Sequence, residues 1–551
     1  MLKRSLPTMT YIKKYISKVF ALFLCVACFC GCKEEIPDTP IINPGNIGTS
    51  ENVKEEIISG GMIRIPMNKN PYSLHPLYVK EMQMRNLYSM IFEPLVDFNE
   101  AMEPVQCIAE SWKYDENSNT WTMQLRANVH WHGGLGEVTG EDAAFTINTI
   151  LNDPESIYYA DLSYYVQRAE GYGNTLVIYP KVKSYALIYA LNIPVIPKAY
   201  YENRDKQTKD IPRGSGCFEP VHLTFENETK MILNSFSGWW KKLPYLEQVV
   251  AIGYNDSEAK LDAFKNGELD CVPSALKTTE IYEILEGVEE KNYLSHNYVF
   301  LAFNLKRANV ADGNFRKAIA YAIDRTDIIN NVYLTKATGA EQPLFNDTSL
   351  SSASVTRYDH NLVEAKEMLI ETGYTDNNGD GYFDGAGGPL TLTLAVLNEP
   401  ANPVRLEAAE YIQNDLKALG IKVDLLAQNL TELKKTISKG AYDMILSGYY
   451  LSDTPNLNFA FRANGSGNLS AYSSQDANNA LYGIDIALSI DELKAATLSL
   501  QNIIANDLPQ IGLFFEMDTF LFRNNISVGT ILRETRVYST INTWHFKNIN
   551  K

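Results

Sequence analysis

Hydrophobic and polar positions along the chain change period several times. Met62-Ile63-Arg64-Ile65-Pro66 alternates as a strand with one buried face does, and Trp121 to Arg126 alternates again after turn residues Asp115 to Asn119. From Asn255 the period lengthens. Asn255 or Asp256 can cap a helix whose apolar residues Ala259, Leu261, Ala263 and Phe264 run to Gly267, a residue suited to the left-handed position past a helix end. Later, strand Leu390 to Leu397 precedes a helix with Val404, Leu406, Ala409, Ile412, Leu416 and Leu419 on one face, stopped by Gly420. Strand Ile421 to Leu426 follows, then a capping box of Asn429 and Glu432, a helix ended by Gly440, and strand Tyr442 to Leu446. This β-α-β-α-β order predicts a parallel sheet covered by helices, with ligands beyond the strands' carboxyl ends and Ser447 to Pro455 at the site.

The first residues have a different character. A basic stretch, Lys13 to Lys18, leads into about twelve apolar residues from Val19 to Cys30, too few to span a bilayer as a helix. This pattern predicts an export signal, and a start at Met9 would preserve it. Phe29-Cys30-Gly31-Cys32, followed by Lys33-Glu34-Glu35, resembles a bacterial lipobox with Cys32 as the acylated residue, Cys28 being the weaker alternative. Pro37, Pro40, Pro44 and Gly45 among polar residues predict an extended tether over 33–58. Removal of residues 1–32, which hold five cations and no acid, takes the net charge from −17 to −22. So acidic a body repels phosphate backbones, which argues against nucleic acid as a partner. Four of the seven cysteines lie in the leader, so Cys107, Cys217 and Cys271 do not form a disulfide framework. At 551 residues the chain has room for two or three domains, and no repeat with a period of roughly 20–50 residues is visible.

A series of short motifs runs through the body: Ser73-Leu74-His75-Pro76, Ile91-Phe92-Glu93-Pro94-Leu95, Ala109-Glu110-Ser111-Trp112, Leu125-Arg126 with Trp131-His132-Gly133-Gly134, and Thr139-Gly140-Glu141-Asp142. It continues with Gly214-Ser215-Gly216-Cys217-Phe218, Asn234 with Trp239-Trp240, Gly267-Glu268-Leu269-Asp270, Phe303-Asn304, Phe315-Arg316-Lys317-Ala318 and Ala322-Ile323-Asp324-Arg325, then Asn468, Pro509 and Trp544. Each is weak alone, but the ordered set resembles the extracellular solute-binding proteins of peptide and nickel importers, the class of the oligopeptide- and dipeptide-binding proteins. The resemblance implies an α/β, two-lobed periplasmic-binding-protein fold of the Venus flytrap type, with an extra domain enlarging the first lobe. It places the lobe I core at 59–85, 180–290 and 515–551, the extra domain at 86–179 and lobe II at 291–514. The implied function is a substrate-binding lipoprotein of an ABC importer, monomeric and anchored outside the cell membrane, that captures peptides, in particular oligopeptides, and delivers them to a permease and its ATPase subunits. A nickel-chelate, sugar or signalling-peptide binder is the alternative on the same fold. No cofactor is implied. Closure of the lobes over the ligand would be a population shift, because a ligand that bridges both lobes binds the closed state better.

Family peptide binders place an aspartate shortly after a Gly-Trp pair to neutralise the ligand's amine. Here Gly448-Tyr449-Tyr450-Leu451-Ser452-Asp453 puts Ser452 at the expected acid position and Asp453 one residue later. Asp453 is the candidate amine partner, with a turn carboxylate as the alternative role. Tyr449 and Tyr450 are candidates to stack on ligand side chains, one of the two belonging to the core. The family's cationic positions on this wall hold Ile437 and Leu446, so no clamp for a ligand carboxylate is evident there. On the opposing lobe the resemblance puts Glu81, Met82 and Gln83 at a ligand-facing stretch and Tyr158 and Tyr159 near another contact position. His130 and His132 are two apart on a strand end, a spacing that can hold a metal, but no third ligand accompanies them and a structural histidine is the reading. Asp376, Asn378, Asp380 and Asp384, with Gly381, mimic a calcium loop whose twelfth position is Gly387 instead of glutamate, so a turn-rich surface loop is the default. No Gly-x-Ser-x-Gly, His-Glu-x-x-His or phosphate-loop motif is present, and the chain is not expected to be an enzyme.

Overall fold

Two long neighbouring strands organise the molecule, Val288–Phe303 and Gln510–Arg523, which pair antiparallel and carry the chain between two lobes. The computed structural model describes residues 57–274, 285–345, 348–385, 388–400 and 402–548. The export signal, Cys32, nearly all of the expected tether and Gly387 lie outside the described residues. Ile57 and Ile58, placed in the tether by sequence, pair instead with Lys547 and Phe546 of the strand His545–Lys547.

In the first lobe, strand Met62–Asn68 runs parallel to Gln248–Tyr254, and two antiparallel strands, Lys230–Ser235 and Phe218–Thr224, complete a four-stranded sheet. Helix Met82–Ile91 follows the first of these strands, so a boundary between 85 and 86 falls inside a helix. A second four-stranded sheet holds Ala109–Asp115, Thr120–Leu125, Thr175–Pro180 and Val166–Tyr172. Helix Gly140–Asn152 opens on a capping box in which Thr139 and Asp142 satisfy each other's backbone N–H groups.

The second lobe realises the predicted β-α-β-α-β unit. Thr391–Leu397 lies between Lys422–Gln428 and Met444–Tyr450 and is parallel to both. The connecting helices are Val404–Leu419 and Leu430–Lys439, each ended by a left-handed glycine, Gly420 at φ 98° and Gly440 at φ 60°. The third strand is longer than its sequence suggests. It continues through Tyr450, so Ser447 to Tyr450 are strand and only Leu451 onward projects past the end.

This sheet is buried on both faces. Along Val288–Phe303, Val299, Leu301 and Phe303 enter one core while Tyr298, Phe300 and Ala302 enter another. A two-residue period thus divides one apolar run between two cores, which is why Tyr298 to Phe303 show no polar alternation in sequence. Helix Gln475–Ile486 leads to helix Ile490–Asp507, and this hairpin meets the first lobe: Tyr185 N–H donates to Ala487 O (2.6 Å), Tyr164 Oη to Asp485 Oδ1 (2.9 Å) and Lys494 Nζ to Glu103 Oε1 (2.8 Å).

Candidate functional site

Leu451 to Pro455 turn away from the end of strand Met444–Tyr450, and Asp453 in that turn borders four cavities. The largest, about 550 Å³, runs along the crossing strands between Lys291, Tyr293, His296 and Met517 and is also lined by Leu532 and Glu534. Another, about 210 Å³, lies between Asp453 and helix Met82–Ile91 and is lined by Arg85, Tyr158, Asp161, His296 and Tyr450.

An irregularity in the long strand pair creates the polar centre. Leu294 pairs with Met517 and Tyr298 with Phe515, so three residues face a single residue, Glu516, and His296 is released from the ladder. The His296 N–H donates to Glu534 Oε2 (2.6 Å) and its Nδ1 to Leu451 O (2.7 Å). A carbonyl only accepts, so Nδ1 carries the proton and Nε2 faces Asp453 Oδ1 at 3.8 Å, gaining its own proton only when the ring is charged. Tyr450 stacks on the imidazole (centroids 5.4 Å) and Phe345 meets it edge-on (5.2 Å).

Burial raises the Asp161 carboxyl, and the Asp453 charge beside it adds to the effect, although Ser452 and Thr454 hydroxyls partly offset both. Asp97, also buried, moves the other way: burial would raise it, but Arg536 at 2.7 Å and the Phe98 N–H hold it below the usual carboxylate range. Two acids thus sit beside one cavity wall with no lysine or arginine ion pair to Asp453 among the described residues, an arrangement that attracts a cationic group.

The other sequence candidates scatter. Tyr158 borders the two cavities next to Arg85. Tyr159 begins helix Tyr159–Tyr165 and packs against the core, while Tyr449 is buried, donates to Gly467 O (2.9 Å) and contacts Phe300 and Phe459. Strand alternation therefore sends Tyr449 inward and leaves Tyr450, 53% exposed, facing the cavity. Gln83 borders a separate 160 Å³ cavity with Asn68 and Lys260, and Met82 borders none of the four around Asp453. Glu81 is turned to the Tyr72 N–H (2.6 Å). Ile437 packs on the core and Leu446 lies within it. His132 is fully buried, accepts from Gly214 N–H and donates to Gly216 O (2.9 Å), and burial lowers it to about 4, whereas His130 points to solvent. In the acidic loop, Asp376 accepts from Gly379 and Gly381 N–H, and Asp380 from Tyr382 N–H. Among the described residues no group of three His, Cys, Asp or Glu side chains is placed to hold a metal.

Arg85 and His296 escaped the sequence reading. Neither belongs to a motif, and only the strand irregularity and the helix orientation bring them to Asp453.

The match to the bacterial extracellular solute-binding proteins, family 5 Middle, covers residues 103–471, and the chain belongs to this family. It is a two-lobed solute-binding protein of ABC importers, acts outside the cytoplasm and is not an enzyme. Among curated relatives, the oligopeptide-binding protein AppA of Bacillus subtilis is 25% identical over 72% of this chain and 75% of its own length. The nickel-binding periplasmic protein of Escherichia coli is 22% identical over 69% and 73%. Among solved structures, a nickel ABC transporter protein from Bacillus halodurans superposes with a TM-score of 0.75 at 20% identity, covering 87% of this chain and 98% of that one. The Bacillus subtilis AppA complex with a nonapeptide gives 0.61 at 20% identity over 90% and 100%. No helix among the described residues is long and apolar enough to cross a membrane.

Proposed function

We propose that the chain captures peptides outside the membrane and delivers them to an ABC permease driven by its ATPase subunits, working as a monomer tethered through acylated Cys32. The observation that carries this reading is Asp453, a carboxylate at the meeting point of four cavities, 3.8 Å from its nearest ion-pair partner and open to a ligand amine. The names of relatives such as the oligopeptide-binding protein AppA and the dipeptide-binding protein DppE of Bacillus subtilis agree with it. In this reading the lobe I core is 59–85, 180–290 and 515–551, the extra domain 86–179 and lobe II 291–514, apart from the first boundary, which cuts helix Met82–Ile91, and the strand pair 288–303 and 510–523 is the hinge.

Mass spectrometry of ligand retained through purification tests the proposal. A mixture of peptides is the expected result, and a single metal chelate or glycan would overturn it. For the anchor, Cys32→Ala should release the protein from the detergent-soluble membrane fraction, and continued retention there would remove the acylation from the proposal.

A further inference from the structure

Most cations around the Asp453 cavities are committed within the protein. Arg536 is held by Asp97 (2.7 and 3.4 Å) and Asn192 (3.1 Å), Lys291 donates to Val528 O (3.3 Å) and Gly529 O (3.2 Å), and Arg533 donates to the carbonyls of Phe98 and Asn99. Arg85 differs. It projects from the first turn of helix Met82–Ile91, lies against the Tyr450 phenol, borders two of the cavities and makes no ion pair among the described residues. Its neighbours Leu87, Tyr88 and Ile91 are buried in the core, which fixes the helix face it occupies.

We propose that Arg85 is the counter-ion of the ligand's terminal carboxylate, so that the preferred ligand is a di- or tripeptide with its amine at Asp453 and its free carboxylate at Arg85. This rests on the peptide reading above and narrows it. A guanidinium offers a fixed pair of N–H donors that matches a carboxylate, and inside a half-buried chamber the pair is shielded less by salt than on an open surface. Asp453 and Arg85 both line one 210 Å³ chamber, and its small volume favours a ligand of about two residues, each advancing ~3.5 Å when extended. Longer chains would have to leave through the 550 Å³ cavity and give up one of the two charge contacts. Ile437 and Leu446, at the family's cationic positions, are apolar and packed against or within the core, and Arg85 places a cation on the opposite lobe, so a ligand that pairs with both Asp453 and Arg85 draws the lobes together.

The test offers the purified mature protein random-sequence di-, tri- and pentapeptides, each as free acids and as C-terminal amides in equal amounts, and counts the retained species by mass spectrometry. We expect free acids of the two shorter lengths to be enriched about tenfold or more over their amides, the range for a hydrogen-bonded charge pair. Arg85→Gln should bring that ratio to about one, and Arg85→Lys should restore part of it. Equal retention of acids and amides by the unaltered protein overturns the inference and leaves peptide binding standing, and so does an Arg85→Gln protein that still prefers acids. If Arg85→Gln does not fold, the ratio measured with the unaltered protein decides alone. Retention of no peptide of any length overturns the peptide reading and this inference with it.

Discussion

Asp453 owes its place to the length of the strand before it. Met444–Tyr450 carries Tyr450 to the cavity mouth, and three residues later the turn presents the carboxylate to the chamber. Asp453→Ala should therefore weaken peptide binding by roughly 2 kcal/mol, about thirtyfold, in a calorimetric titration, with the melting temperature unchanged. An unchanged affinity would move the ligand amine elsewhere. A second carboxylate, Asp415, gives a pH prediction away from the site. Burial pushes it up to about 6, so the folded chain holds this proton more tightly than the unfolded chain does. The stability this lends is complete below about pH 4 and is lost as pH rises through about 6. Asp415→Asn keeps an acceptor for the Asp324 N–H, 3.0 Å away. It should match the parent protein near pH 4 and exceed it by about 1 kcal/mol at pH 7, a figure reduced for the partial exposure of the group, as thermal melts at both pH values would show. At this scale the family resemblance pointed to Asp453, one residue past the expected acid position, with a turn carboxylate as its alternative role. It could not reach Arg85, one cation among many, or His296, whose exposure to the cavity depends on a strand irregularity that leaves no mark in composition.

Elements were more legible where chemistry marks their ends. Asn429 accepts from Glu432 N–H (3.0 Å) and Glu432 returns to Asn429 N–H, so helix Leu430–Lys439 starts where the capping box says it does. Asn429→Ala should cost about 1 kcal/mol, read as a lower urea midpoint with unchanged slope. Helix Ser257–Lys265 begins in the same way, with the Asp256 side chain accepting Ala259 N–H at 2.8 Å. The long strands Val288–Phe303 and Gln510–Arg523 were harder to see. Tyr298 to Phe303 and Ile511 to Phe515 are apolar and buried on both faces, and the polar residues that share these strands do not alternate regularly with apolar ones, so periodicity has little to register. The end of Met444–Tyr450 was misplaced for a related reason: Ser447 and Gly448 look like turn residues. Gly448 is instead required by close packing, since a Cβ there would come 2.7 Å from Arg405 Nη1 and 3.0 Å from Tyr298 O.

For the whole molecule, the contacts between helix hairpin and first lobe make affinity depend on residues that touch no ligand. Asp485 accepts from Tyr164 and Arg462 (3.0 Å) at that junction. Asp485→Ala should loosen the junction, weaken peptide binding several-fold and enlarge the unliganded radius of gyration in small-angle scattering, because the binding-competent state becomes less populated. An unchanged radius would mean that the hairpin does not hold the lobes. Two-lobed architecture was legible through ordered motifs spread along the chain, while the junction was not, since its residues lie hundreds of positions apart. The pairing of Ile57 with Lys547 has a practical consequence. Both ends of the folded body emerge side by side, so a short linker from residue 548 back to residue 57 could rejoin the chain with new termini opened in a surface turn. A fluorescent protein fused after residue 548 would sit beside residue 57, at the start of the folded body, and would follow the first lobe instead of reporting lobe motion.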